Sequence, residues 1–335
     1  MRAMVIDKYG KNKPLRLAEM PIPEVGERDV LAEIHAASIN PIDFKIKEGK
    51  VKLLLKFAMP LILGNDFSGT IVKVGSQVTK FKIGDEIYGR PRKNRIGTFA
   101  EYIAIHEEDI SLKPSNLDFV EAASIPLVGL TTYQALTEVL ELKKGQKILI
   151  HAGSGGVGTF AIQLAKEMGA FVATTVSEQG YDLVKSLGAD LIINYKEDKF
   201  EEILADYDAV YDTLGGDALE KSFSILKPYG KIVSVSGMPN AEFARSTQAG
   251  FVKTILLSIV SRKLTALEKQ YNVKYTYLFM KPSGLQLEYI KELIEHGKIK
   301  PVIDRVFSFE ETQQAMEYVE TGRAKGKVIV KIILQ

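Results

Sequence analysis

Over the first 124 residues, apolar and polar positions alternate in short stretches cut by Gly and Pro. These stretches run from Ala3 to Ile6, Asp29 to Ala37, Ser68 to Val74, Glu86 to Gly89 and Phe99 to Ile105. Successive strand side chains point to opposite faces, so this period predicts a mainly β or α+β unit. From about Glu121 the pattern changes. Ala122 to Leu140 has helical spacing, and Lys147 to His151 is a short apolar strand that runs into glycines. Helix signals then appear over Thr159 to Met168 and Gly180 to Leu187. Strand signals appear over Phe171 to Val176, Leu191 to Asn194, Ala209 to Tyr211, Lys231 to Val235 and Tyr275 to Phe279. Such alternation predicts an α/β fold with a doubly wound parallel sheet and right-handed crossovers. Leu285 to His296 reads as a helix, and Lys327 to Ile333 as a closing strand that returns to the first domain. The expected domains are therefore 1–124 with 284–335, and 125–283.

Length agrees with two domains, because 335 residues exceed the roughly 250–300 at which one hydrophobic core stops growing. The 44 basic and 42 acidic residues are spread along the whole chain with no long run of one sign, which leaves no footprint for nucleic acid or an anionic membrane. The absence of cysteine excludes disulfides, thiolate zinc ligands and a cysteine nucleophile. No secretory signal pattern opens the chain, and a cytoplasmic location is expected. The apolar stretch Phe251 to Val260 contains Lys253 and is followed by Arg262 and Lys263. It is too short to span a bilayer, so it is expected to be an amphipathic helix used in packing or as a lid.

The strongest local chemistry lies in Ile148-Leu149-Ile150-His151-Ala152-Gly153-Ser154-Gly155-Gly156-Val157-Gly158, a strand running through Gly-x-Gly-x-x-Gly into a helix. Gly153 and Gly155 allow a tight turn and close backbone approach to a pyrophosphate, and Gly158 allows helix to pack on strand. The free N–H groups at the helix start, Gly156 and Val157 among them, then bind the phosphates. This is the dinucleotide loop of a Rossmann domain. At the end of the next strand an acidic residue favours the unphosphorylated ribose. Here the chain reads Thr174-Thr175-Val176-Ser177, which favours NADPH over NADH, with Glu178 next and Lys185 the nearest base.

Several motifs occur in order: Asn40-Pro41-Ile42-Asp43-Phe44-Lys45, Gly64-Asn65-Asp66-Phe67-Ser68-Gly69, Val74-Gly75, Gly84-Asp85, Gly97-Thr98-Phe99-Ala100-Glu101-Tyr102 and the glycine loop. With them the chain resembles, over essentially its whole length, the zinc-free quinone oxidoreductase branch of the medium-chain dehydrogenase/reductases. Asn-Pro-Ile-Asp-Phe-Lys and the ending Lys298-Ile299-Lys300-Pro301-Val302-Ile303-Asp304 are most similar to the plant enone and quinone oxidoreductases and the reticulon-4-interacting mitochondrial homologue. The resemblance implies a discontinuous GroES-like domain beside the Rossmann domain. It also implies hydride transfer from NADPH to a quinone or an α,β-unsaturated carbonyl, and a homodimer. Zinc relatives hold their metal through a cysteine and a histidine where this chain has Ser38 and Asn65, which implies no zinc.

The resemblance makes Asn40 the first candidate hydrogen-bond donor to the substrate oxygen and Lys45 the second, with Asp43 orienting its neighbours. Thr131 falls on the helix that lines the nicotinamide pocket in relatives. Further cofactor contacts map to Ser177, Tyr195, Ser236, Gly237, Phe279 and Lys327. Where relatives often carry a lysine for the 2′-phosphate, this chain has Gly180. Three readings stay open: the NADPH-dependent reductase, another reductive or lyase-like reaction on the same scaffold, and a cofactor-binding protein with a regulatory or structural role.

Overall fold

The computed structural model describes residues 1–52, 55–248 and 250–333, and the chain divides into two compact units, 1–130 with 281–335 and 131–280. The strand Asp29–Ile39 organises the first unit. Val30, Ala32, Ile34, Ala36 and Ala37 are fully buried along it, so both of its faces are covered by neighbours. It pairs antiparallel with Phe67–Val74, Tyr102–His106 and Lys327–Lys331. The sheet extends through Glu86–Gly89 to Ile110–Leu112 on one side, and on the other to Ile303–Ser308, which lies parallel to Lys327–Lys331. A smaller sheet orders Arg16–Glu19, Arg2–Ile6 and Leu61–Ile62.

Phe67, Ile71, Ile87, Phe99, Ile105, Phe309 and Val330 close one core over these strands. Each such side chain stabilises the unit by about 1.5–3 kcal/mol relative to exposure. The strand expected over Phe99 to Ile105 starts only at Tyr102. Phe99 instead gives its carbonyl to the Met4 N–H (2.8 Å) and its N–H to the Leu63 carbonyl (2.9 Å), so it belongs to the smaller sheet's surroundings.

Sheet register builds the site of this unit. Val328 pairs with Ile39 and Phe67 with Ala37, which places Lys327 beside Asn40 and Asp66 beside Ser38. Three strand ends thus bring their polar residues to one place without any local sequence motif.

The second unit is a six-stranded sheet in the order Leu191–Asn194, Phe171–Val176, Lys147–Ile150, Tyr207–Asp212, Leu226–Ser234 and Lys274–Tyr277, with every pair parallel. A sheet covered on both faces needs apolar strands. Accordingly Ile148, Leu149, Ile150, Val172, Ala173, Val210, Ile232 and Val233 are fully buried. The chain starts at the central strand, winds to one edge and returns to the other, so the order reverses beside Lys147–Ile150, where open α/β sheets bind ligands at their carboxyl ends.

The continuous helix expected over Ala122 to Leu140 is three pieces. Phe119–Ala123 and Pro126–Tyr133 are α-helical, and Gln134–Val139 is a wide π turn in which the Leu140 N–H reaches the Ala135 carbonyl (2.9 Å). Pro126 lacks an N–H and restricts Ile125, which explains the first break. Among the described residues, no helix is long and apolar enough to cross a membrane.

Candidate active site and nucleotide cradle

Asn40 follows the long strand Asp29–Ile39 and is the N-cap of the helix Pro41–Lys47. Its main chain caps that helix: the Asn40 N–H donates to Asp43 Oδ2 (2.7 Å), and the Asp43 N–H donates to the Asn40 carbonyl (2.9 Å). The side-chain amide is used elsewhere. Nδ2 donates to Asp66 Oδ1 (2.9 Å) and the Ser38 carbonyl (3.1 Å), while Oδ1 accepts from Lys327 Nζ (2.5 Å). The Ser38 hydroxyl donates to Asp66 Oδ1 (2.6 Å), and Asp66 Oδ2 accepts from the Leu127 N–H (3.2 Å).

The network continues through Asn65, whose Nδ2 donates to Asp43 Oδ1 (2.7 Å). Arg90 Nη2 lies 3.5 Å from Asn65 Oδ1, and Arg90 Nη1 donates to the Pro91 carbonyl (2.7 Å). All of these side chains are buried. Burial raises the Asp43 carboxyl to about 7, against the hydrogen bonds from Asn65 and Asn40 that favour its charge. Burial also lowers the Lys327 ammonium, opposed by Asp66 and Asp43, and lowers the Arg90 guanidinium to about 10. The result is a buried cluster of fixed dipoles and two cations, the kind of environment in which a developing oxyanion gains most from a hydrogen bond. Lys45 lies outside this network, partly buried on Pro41–Lys47, with its ammonium lowered by burial and by Lys50.

In the second unit the strand Lys147–Ile150 passes through His151 and Ala152 into Gly153–Gly155, and then into the helix Gly156–Glu167. A Cβ on Gly153 would lie 2.1 Å from Thr174 Oγ1, and one on Gly158 would lie 2.4 Å from the Ala152 carbonyl and 2.6 Å from Gly153 Cα. Those two glycines are needed for packing. Among the described residues, a Cβ on Gly155 would meet only the Ala152 carbonyl, at 3.3 Å, which leaves space beside it. Gly155 is also the helix cap and supplies no side-chain acceptor, which leaves the amides of Gly156, Val157 and Gly158 without an intrahelical partner. Space in front of amides with no intrahelical partner fits a pyrophosphate.

Val176 and Asn194 end adjacent strands in register, so Ser177 and Tyr195 follow side by side, with the Tyr195 N–H on the Val176 carbonyl (3.1 Å). Ser236 and Gly237 follow Leu226–Ser234, and their N–H groups donate to Ser234 Oγ (3.2 and 2.7 Å), which itself donates to Asp212 Oδ2 (2.5 Å). Phe279 lies two residues beyond Lys274–Tyr277, with its ring 6.3 Å from that of Phe243. Thr131 is buried in Pro126–Tyr133, one turn before the π segment. His151 is held between Thr175 Oγ1 (3.2 Å) and Ser222 Oγ (2.9 Å), and burial lowers its imidazole to about 4, so it is a neutral structural residue at pH 7.

Of the residues singled out in the sequence, the structure bonds Asn40 directly to Lys327. Gly153 to Gly158, Ser177, Tyr195, Ser236 and Gly237 all follow carboxyl ends of the parallel strands. Sequence reasoning missed Asp66, which binds both Ser38 and Asn40, and Arg90, a buried cation whose Nε has no hydrogen-bond partner among the described residues. An acid beginning the apolar strand Phe67–Val74 was the available signal for Asp66.

Residues 26–115 match the alcohol dehydrogenase GroES-like domain, and residues 187–330 match the zinc-binding dehydrogenase family. The chain is similar to the mitochondrial NAD(P)H oxidoreductase RTN4IP1 of Danio rerio, at 34% identity over 99% of this chain and 92% of that protein. It is similar to the chloroplastic NADPH-dependent alkenal/one oxidoreductase of Arabidopsis thaliana, at 35% identity over 98% of this chain and 79% of that one. Among solved structures, the quinone oxidoreductase from Coxiella burnetii superposes with a TM-score of 0.84 at 35% identity, covering 99% of both chains. Among the described residues, no group of three or more His, Cys, Asp or Glu is arranged to hold a metal ion.

Proposed function

Because the chain belongs to the quinone oxidoreductase branch of the medium-chain dehydrogenase/reductases, we propose that it reduces quinones or α,β-unsaturated carbonyl compounds with NADPH and without zinc. The observation that carries this reading is the open, uncapped start of Gly156–Glu167 behind Gly155. Gly153 and Gly158 set the shape of that loop, and the amides of Ser154, Gly156, Val157 and Gly158 bind the pyrophosphate. Ser177 and Tyr195 hold the adenosine end, and Ser236, Gly237, Phe279 and Thr131 hold the nicotinamide end. A bound nicotinamide supplies the hydride; the protein supplies position and charge stabilisation.

In the first unit, Asn40 donates to the substrate oxygen as negative charge appears on it. Asp66 keeps the amide aligned, and the longer bond to the Ser38 carbonyl (3.1 Å) is the one exchanged for substrate. Lys327 on Oδ1 polarises the amide and strengthens its N–H groups as donors. Lys45 is the second donor. Ser38 and Asn65, which replace zinc ligands of the resemblance, spend their polar atoms on Asp66 and Asp43. A homodimer in the cytoplasm completes the reading. The test is NADPH oxidation followed at 340 nm with a panel of quinones and enones. Turnover with neither class, alongside tight NADPH binding, would favour a regulatory cofactor-binding protein.

A further inference from the structure

Phe251–Val260 forms a helix of 10 residues in the second unit, and only Leu257 on it is buried. Packing therefore accounts for one side chain of this segment. Phe251 and Val252 are each 79% exposed, Ile259 59%, Ile255 46%, Leu256 44% and Val260 42%. These positions recur at i, i+1, i+4, i+5, i+8 and i+9, which places them on one helical face. The helix's hydroxyls do not offset this, because Thr254 Oγ1 donates to the Gly250 carbonyl (2.9 Å) and Ser258 Oγ to the Thr254 carbonyl (2.7 Å). A contiguous apolar face of this kind in water marks an interaction surface.

The charge around it is predominantly basic, with the flanking acids Glu242 and Glu268 engaged by Lys274 and by the Tyr275 N–H. Between Phe243 and Leu267 the sequence contains Arg245, Lys253, Arg262 and Lys263 and no Asp or Glu. Arg245 and Arg262 are exposed, and Lys263 pairs with Glu220 of the neighbouring helix Gly216–Lys221.

We propose that Phe251–Val260 is a lipid-docking helix that lies in the plane of an anionic membrane surface. Its apolar face enters the boundary of the acyl chains, and Arg245, Arg262 and their neighbours meet the headgroup phosphates. At 1.5 Å per residue it is about 15 Å long, half of a bilayer core, so it lies on the membrane rather than across it. A second copy of the chain fits this face less well. Two-fold pairing would bring Arg245 and Arg262 of both copies together, while the nearby acids Glu220, Glu242 and Glu268 are already engaged by Lys263, Lys274 and the Tyr275 N–H. The inference does not depend on the reaction proposed above.

The chain has no tryptophan, so Ile255→Trp introduces a sole reporter on the exposed face. With extruded phosphatidylcholine vesicles containing about a quarter phosphatidylglycerol, its emission maximum is expected to shift to the blue. Pure phosphatidylcholine is expected to give a smaller shift, and salt near 1 M to reduce binding by screening. In flotation of the full-length protein, Phe251→Ser/Ile255→Ser/Ile259→Ser is expected to lower vesicle affinity at least tenfold while retaining the parental circular dichroism spectrum. An unshifted tryptophan on anionic vesicles, or parental flotation of the triple variant, overturns the proposal. So does a parental mass of twice the monomer by light scattering that the triple variant halves, because the face is then covered by another copy.

Discussion

Lys327 Nζ donates to Asn40 Oδ1 at 2.5 Å, although the two residues are 287 positions apart in sequence. The contact follows from strand register, since Val328 pairs with Ile39. It joins the residue expected to touch substrate to one expected to touch cofactor, and it gives the Asn40 amide an orientation that the motif alone does not define. With Oδ1 held by a cation and Asp66 Oδ1 accepting from Nδ2, the amide cannot flip without leaving a buried donor facing the ammonium.

Gly155 and Gly158 are expected to respond differently to substitution. Gly155→Val should keep the parental melting temperature within a few degrees and abolish NADPH binding, because its side chain enters the open space before the helix amides. Gly158→Val should fail to accumulate as folded protein, since its Cβ would overlap the Ala152 carbonyl. Calorimetric titration and thermal melts of both variants check this; NADPH binding by Gly155→Val at parental affinity removes the loop as the phosphate site.

NADPH should bind at least tenfold more tightly than NADH, because hydroxyls of Ser177 and Tyr195, and no carboxylate among those named contacts, follow the two strand ends. Restoring a lysine at Gly180 should not sharpen this preference. A Cβ there would lie 2.9 Å from both Cβ and Oγ of Ser154, so Gly180→Lys should push Ser154 out of the loop and weaken both nucleotides together. Equal affinities in the parent would point to Glu178 reaching the ribose.

Metal analysis of protein purified without added zinc should find well under one equivalent. Ser38 and Asn65 offer hydroxyl and amide oxygen where a cysteine and a histidine bind zinc in the resemblance; the Ser38 hydroxyl donates to Asp66, and the Asn65 oxygen faces the Arg90 guanidinium while its Nδ2 donates to Asp43. Stoichiometric zinc would contradict the zinc-free reading.

How far the sequence carried these conclusions depends on the distance over which each feature is encoded. The strand Phe171–Val176 and the glycine loop were readable because a few neighbouring residues specify them. The break at Pro126 was readable in principle, but the helical spacing on both sides of it masked the interruption and the π turn beyond. Asp66 could not be placed, because its partners come from two other segments, Ser38 and Asn40 at one strand end and Leu127 on a helix, joined only by sheet register and packing. Asn40 stood out as a residue, but its orientation depended on Lys327.

Stability should fall as pH rises from about 4 to about 7, in part through Asp43. Its carboxyl is raised in the folded protein to about 7, so over that window the native state holds a proton that the unfolded state has released. The contribution is present at low pH and is lost as pH rises through the folded value, with a slope of up to about 1.4 kcal/mol per pH unit for one proton. Asp43→Asn removes the titration at the cost of one acceptor, so it should be less stable than the parent at pH 5 and have a flatter profile toward pH 8. Parallel profiles by chemical denaturation would mean that Asp43 ionises normally.

Asn40→Ala should lower the rate of enone reduction about a hundredfold or more with little change in NADPH affinity, since losing one oxyanion donor in a dry site costs about 2.7–4 kcal/mol in the transition state. Quinones, which accept hydride with less help, should be affected less. Lys327→Met separates donation from polarisation. It leaves the Asn40 amide in place but removes the cation from Oδ1, so it should lower the enone rate by a smaller factor and also cost about 1–3 kcal/mol of stability, because Oδ1 is then buried without a partner. If the two substitutions together lower the rate no further than Asn40→Ala alone, Lys327 acts through Asn40. If their effects multiply, the ammonium reaches the substrate oxygen itself. Parental rates for Asn40→Ala with both substrate classes would leave Asn40 as a strand-end residue and make Lys45 or Thr131 the donor to test.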